Sequence, residues 1–200
     1  MGGGPLLHFL KWRLGLAQAE VDTTAAERAC LAHHAEDKKR VAEVGVWHGG
    51  TTAVLRGAMA ADGVLYAVDP FEPGRLGVSF QYLIARGEVA RVPNGRVVWI
   101  RQPGQTAAAS DAIRLAAPFD FVFLDPPQTE AIVRATWEPW SALMAPAGFI
   151  ALHDSRPSPE SPGFAPDSMR YAMSVVRNDP RFEIVDQAGL ITVLRRRSIR

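Results

Sequence analysis

An α/β domain built on a doubly wound, mostly parallel sheet is the fold that this 200-residue sequence predicts. Three observations predict it. Residues 41–70, VAEVGVWHGGTTAVLRGAMAADGVLYAVDP, pass from a short apolar run through a glycine turn and an alanine-rich helical segment to a second apolar run ending on Asp69, which is one βαβ unit. Phe119–Asp125, FDFVFLD, is almost continuously apolar, as a strand buried on both faces must be. Phe182–Asp186 and Leu190–Leu194 flank Gln187-Ala-Gly189 and make a closing hairpin. With further runs at 96–101 and 149–155, seven strands fall within one domain, residues 1–200.

The bulk numbers agree and remove several function classes. A chain 48% hydrophobic can bury a core. A formal net charge of +1 offers no basic face for a dedicated nucleic-acid binder. Cys30 stands alone, which excludes an internal disulfide, fits a reducing compartment and predicts a buried, inert thiol. No apolar run approaches the roughly 20 residues of a membrane span, so no membrane partner is expected. The opening Met1-Gly-Gly-Gly-Pro5 lacks the basic region and cleavage site of a signal peptide and reads as a flexible lead. Together these place the chain in the cytoplasm.

The elements follow in order. Leu6, Leu7, Leu10 and Leu14 fall at helical spacing within residues 1–20 and predict an amphipathic helix packed on the domain, with Trp12 the residue to watch. Thr24 and Glu27 have capping-box spacing and start a helix through Cys30 towards His33 and His34, adjacent residues that point apart and read as a solvated face. A charge cluster, Glu36–Arg40, turns into the strand Val41–Val46. The following helix runs to Ala61, and Asp62-Gly63 turns into Val64–Val68. Pro70–Gly77 is a loop, Ser79–Gly87 a helix and Pro93-Asn94-Gly95 a turn. Arg96–Arg101 is a strand and Thr106–Ala116 a helix. Pro126-Pro127 stops the strand that carries Asp125. Gln128–Met144 is a helix kinked or broken at Pro139, with Trp137 and Trp140 as packing residues. Pro146-Ala-Gly148 turns into a fifth strand carrying His153, Asp154 and Ser155. Ser155–Pro166 is a proline-rich loop over the site, Asp167 caps a helix through Val176, and the basic tail 195–200 is solvated.

The glycine turn states the chemistry. Glycines admit a ligand close to the backbone, and the next helix offers free N–H groups. Asp69, at the end of the following strand, can accept both hydroxyls of a ribose. A dinucleotide site would need G-x-G-x-x-G, and here Val46 and Trp47 follow Gly45. Glu43 inside the strand suits an amine-bearing ligand better than a diphosphate. E-V-G-V-W-x-G-G-T-T followed by V-D-P-F resembles the cofactor site of the class I S-adenosylmethionine (SAM) methyltransferases, and nearly the whole chain after Thr24 resembles the small bacterial O-methyltransferase-like subgroup with its L-H-D motif. The resemblance implies the Rossmann-like methyltransferase fold with an antiparallel terminal hairpin. It implies that Gly45–Gly50 wraps the methionine part of SAM and Asp69 holds the ribose. The contact set it implies is Glu43, Gly45, Trp47, His48, Gly49, Gly50, Thr51, Thr52, Asp69, Pro70, Phe71, Gln102 and Asp125. Phe71 or Leu76 would cover the adenine and Gln102 would meet its amino group. His48 reads as a turn hydrogen bond rather than a catalytic group. The added N-terminal helix either packs on the domain or makes a homodimer or lid contact.

Asp69, Asp125 and Asp154 all fall at strand ends on one edge. Methyl transfer needs the acceptor in line and often needs its proton removed, so His153 or Asp125 is the expected base. Catechol-type relatives hold Mg²⁺ with acids at the places of Asp125 and Asp154, and Ser155 stands where they carry Asn; Mg²⁺ through Asp125 and Asp154 is therefore one option, and Asp154 capping the loop or pairing with Arg156 or Arg170 is the other. The implied function is methyl transfer to an oxygen of a small-molecule acceptor. The alternatives are amino-methylation of a nucleobase through Asp125-Pro126-Pro127, where Gln128 replaces the aromatic those enzymes carry, a SAM-binding protein without activity, and, more distantly, an NAD oxidoreductase.

Overall fold

The computed structural model describes residues 4–75 and 77–198. Helix α1 (Pro5–Arg13) and α2 (Ala25–Ala35) precede a run of β1 (Arg40–Val44), α3 (Gly50–Ala58), β2 (Val64–Val68), α4 (Phe80–Ala90) and β3 (Arg96–Ile100). Two single-turn helices, α5 (Gly104–Ala107) and α6 (Asp111–Arg114), lead into β4 (Phe119–Leu124), α7 (Glu130–Ala142), β5 (Met144–Leu152) and α8 (Asp167–Ser174). β6 (Phe182–Ala188) and β7 (Ile191–Arg196) close the chain. The sheet order is β3-β2-β1-β4-β5-β7-β6, parallel except for β7, which runs antiparallel to both β5 and β6. The strand order reverses between β1 and β4. Open α/β sheets bind ligands at that crevice, outside the carboxyl ends of the strands.

Both faces of the sheet are covered, which is why the central strands are apolar throughout. On β4, Phe119, Val122 and Leu124 pack with Trp137, Trp140 and Tyr171 of α7 and α8, while Phe121 and Phe123 face Leu31, Leu55 and Ala85 of α2–α4. Alternating burial to opposite layers is the period-2 signature of a two-sided strand. Trp137 and Trp140 are core residues, as expected.

Several boundaries differ from the sequence reading. The segment 104–116 breaks into two short helices, because Ser110 starts a new one while its hydroxyl bonds back to Ala107 O. Pro139 lies within α7 without ending it. β5 begins at Met144, ahead of the Pro146–Gly148 turn, through a register shift against β4. The thiol of Cys30 is half-buried, and His34 is no solvated residue: its Nε2 lies 3.0 Å from Asp186 Oδ2. Helix α1 docks by a face the leucine spacing did not mark. Trp12 is buried, bonds Glu88 through Nε1 and fills the space over Gly87, and Phe9 meets Phe80, while Leu6, Leu7, Leu10 and Leu14 are exposed. Leu76, Met1–Gly3, Ile199 and Arg200 lie outside the described residues, so the adenine cover at Leu76, the opening of the lead and the end of the tail do too.

Candidate functional site

The β1–α3 turn is built on two left-handed glycines and one left-handed tryptophan. Gly45 has φ +92°, Trp47 +51° and Gly49 +79°. A Cβ at Gly45 would sit 2.0 Å from the carbonyl oxygen of Asp125, so only glycine lets β1 and β4 open beside each other here. Gly49 caps α3, and the first ladder bond of that helix runs from Ala53 N–H to Gly49 O, which leaves the N–H groups of Gly50, Thr51 and Thr52 out of the ladder.

Asp69 holds the turn. Its Oδ2 accepts the N–H groups of Val46 at 3.0 Å and Trp47 at 3.3 Å, and its Oδ1 accepts Phe71 N–H at 2.8 Å. Gln81 Nε2 donates more weakly to both oxygens, at 3.4 and 3.3 Å. A cavity of about 440 Å³ opens above, lined by Gly45, Trp47, Asp69, Pro70, Gly104, Gln105, Asp125 and Gln128 among others. A small recess beside it is lined by Glu43, Gly45, Gly50, Thr51 and Asp22. Glu43 is fully buried; burial pushes its carboxyl well above the ordinary range, and its Oε2 has no partner among the described residues.

Most of the expected contact set converges here. Gly45, Trp47, Asp69, Pro70 and Asp125 line the cavity; Glu43, Gly50 and Thr51 line the recess; Gly49 and the buried Thr52 shape the turn. Three residues fall elsewhere. Gln102 is exposed and off the lining, because the chain turns at Pro103 and presents Gln105 instead. Phe71 is wholly buried against Tyr82 and Trp99, so it contributes its backbone N–H to Asp69 and no cover to an adenine. His48 does what a turn residue does: its Nδ1 accepts Glu20 N–H at 3.1 Å, and its ring stacks on His8. None of residues 155–166 lines the cavity.

Behind Asp125 lies a cage of acids around one histidine. His153 Nδ1 is 3.1 Å from Asp125 Oδ1 and 3.6 Å from Asp154 Oδ1, and Nε2 is 3.8 Å from Glu27 Oε1, an ionic distance rather than a hydrogen bond. Glu27 was legible only as a capping residue. It does cap: it accepts Thr24 N–H, and it also accepts Leu190 N–H at 2.7 Å. Burial opposes charge on His153, but Asp125 and Glu27 outweigh it and raise the imidazole to about 10. Burial likewise favours neutral Glu27, yet His153 and the two backbone donors bring it down to about 2. Burial raises Asp154, whose Oδ2 accepts Gln128 Nε2 at 2.6 Å, so neither Arg156 nor Arg170 is its partner.

This ion cluster has a pH signature. The imidazole of His153 binds its proton more tightly in the folded chain, so its contribution is complete below about pH 6.5 and declines as the pH rises through 10. The urea midpoint should fall between pH 7 and 10, and His153→Gln should flatten that fall; equal slopes in both proteins would refute the pairing.

The donor set does not fit Mg²⁺. Octahedral magnesium wants oxygens, and here an imidazole nitrogen already stands between Asp125 and Asp154. Ser155 turns away, donating to Leu152 O at 2.7 Å and lying 2.8 Å from Thr192 Oγ1.

The methyltransferase-domain family matches residues 42–155, more than half of the chain, including all of the turn, Asp69, Asp125 and His153. No match was found among curated proteins. Solved structures resemble it over its whole length. Cofactor-bound Rv0187 from MTB is 17% identical over 99% of this chain and 92% of its own, with a TM-score of 0.71. The O-methyltransferase from Bacillus cereus in complex with SAH is 17% identical over 98% and 92%, with a TM-score of 0.66. The O-methyltransferase TomG from Streptomyces achromogenes, in complex with SAM, is 14% identical over 99% and 92%, with a TM-score of 0.65. With the crevice at the β1/β4 reversal, the glycine turn tied to Asp69 and the family match across both, this chain belongs to the methyltransferase-domain family.

Proposed function

We propose that the chain methylates an oxygen of a small-molecule acceptor, without a metal, and that Asp125 takes the acceptor proton. The observation that carries this reading is the pairing of a cavity-facing carboxylate with a charged histidine behind it. The side chain of Asp125 is a quarter exposed on the cavity wall, whereas that of His153 is 6% exposed and already protonated at neutral pH. Of the two expected bases, only Asp125 can accept a proton there. His153 fixes Oδ1, and Oδ2 has no hydrogen bond to the chain among the described residues.

Three features of the site support SAM as the methyl donor. Gly45 lines both the cavity and the recess with backbone alone, and Glu43 presents an orphaned oxygen at the recess for an α-amino group. The two long Gln81 bonds on Asp69 are the ones that ribose hydroxyls can replace without dismantling the turn. When bound, SAM supplies an electrophilic methyl on a sulfonium. The chain positions an acceptor hydroxyl in line, which is worth roughly 7–11 kcal/mol in well-oriented systems, and Asp125 receives the hydroxyl proton as the new C–O bond forms and the S–CH₃ bond breaks. Against a nucleobase, Gln128, at the place of the stacking aromatic, is tied to Asp154.

S-adenosylhomocysteine (SAH) at about 100 times its Kd should stabilise the chain by about 2.7 kcal/mol. For this length that raises Tm by roughly 5–10 °C. NAD should give no shift, and Mg²⁺ should add nothing to the SAH shift. Absence of the SAH shift overturns the reading. Release of SAH from SAM with a panel of hydroxylated small molecules then separates an enzyme from a SAM-binding protein without activity.

A further inference from the structure

Away from the cavity, a second cluster joins α2 to the edge strand β6. Cys30 and His34 stand one turn apart on α2 and leave the same face of the helix. Asp186 meets them both: its Oδ2 lies 3.0 Å from His34 Nε2 and 3.6 Å from Cys30 Sγ, and all three donor atoms fall within 4.8 Å of one another. Three features aim these groups. The β6–β7 ladder shifts register between Ile184 and Asp186, and an irregularity of that kind re-aims a side chain. Asp186 Oδ1 accepts Gln187 N–H at 2.8 Å, which leaves Oδ2 for the cluster. The His34 ring rests against Phe149, with centroids 5.1 Å apart.

We propose that Cys30, His34 and Asp186 form a binding site for a thiophilic divalent cation, zinc above all, that ties α2 to the sheet edge. One sulfur, one imidazole nitrogen and one carboxylate oxygen form a set that zinc selects and that magnesium and calcium do not. Tetrahedral zinc, with bonds of about 2.0–2.3 Å, spaces its ligand atoms roughly 3.3–3.7 Å apart. The sulfur–oxygen separation meets that range and the nitrogen–oxygen separation needs a shift of a few tenths of an ångström. The side chain of Asp186 is 43% exposed, so water completes the fourth position. On binding, the Cys30 S–H bond breaks, its proton passes to buffer, and the sulfur–metal bond forms with no change of oxidation state. None of the three residues lines the cavity, so the site is separate from methyl transfer.

The test titrates the chelator-stripped, full-length chain with Zn²⁺ alone and with Co²⁺. One equivalent per chain is expected, with a rise in Tm, and the cobalt form should show thiolate-to-cobalt charge-transfer absorption. Cys30→Ser should abolish that absorption and weaken zinc uptake roughly tenfold or more, Asp186→Asn should weaken it too, and Asp154→Asn should leave the titration unchanged. Failure of the parent to take up a stoichiometric ion, or an unaltered titration in Cys30→Ser, overturns the site and leaves a plain His34–Asp186 ion pair. Because SAH binding is read separately on the same samples, failure here is distinct from failure of the methyltransferase reading.

Discussion

Asp125→Asn is expected to lower kcat 10²–10⁴-fold, the usual range for loss of a positioned base, while the Kd for SAH stays within about threefold. The substitution is isosteric, and an amide can still accept a hydrogen bond from His153 at the place of Oδ1, so the 3.1 Å contact survives. What the amide cannot do is take a proton from the acceptor. The two readouts therefore separate. A residue that merely held the β4 terminus would lose stability and cofactor affinity together, whereas a proton acceptor loses turnover alone. Glu27 and Asp154 stay beside the imidazole of His153 in this variant and still favour its charged form, which opposes its taking over as base. A kcat within about threefold of the parent's would remove Asp125 from the reaction.

The strands, the ligand edge of the sheet and the glycine turn were legible because each rests on a local rule: two-sided apolar runs, turn residues, and an acid at a strand end. Asp69 and Asp125 were found by that logic, and both line one cavity. What escaped the sequence depends on long-range packing. Glu27 fills a capping pattern of four residues, and nothing in those four says that its carboxylate also reaches His153, 126 positions later. Phe71 and Gln102 were placed on the ligand by position alone, and a single turn of backbone sends the first into the core and puts Gln105 in place of the second. The N-terminal leucines carry the right period for a buried face, yet α1 docks through Trp12 and Phe9. Periodicity finds a helix; which stripe is covered is decided by the partner surface, here Gly87 and Phe80 of α4.

Asp69→Ala should weaken SAH binding at least 100-fold, the combined cost of the ribose contact and of a turn left without its acceptor. Three N–H groups, those of Val46, Trp47 and Phe71, converge on this carboxylate, and two of them sit in fully buried surroundings. Each buried donor left unpaired costs about 1–3 kcal/mol, so part of the loss is collapse of the turn and would follow even if no ribose met Asp69. A double-mutant cycle divides the two. The parent and Asp69→Ala proteins are each titrated with SAH and with its 2′-deoxyribose analogue. If the hydroxyls replace Gln81 on the carboxylate, the deoxy analogue binds the parent several-fold more weakly than SAH does, and that difference shrinks towards zero in Asp69→Ala. If the same penalty persists in both proteins, the ribose is held by another residue, and Asp69 acts on the cofactor solely by folding the backbone that surrounds it.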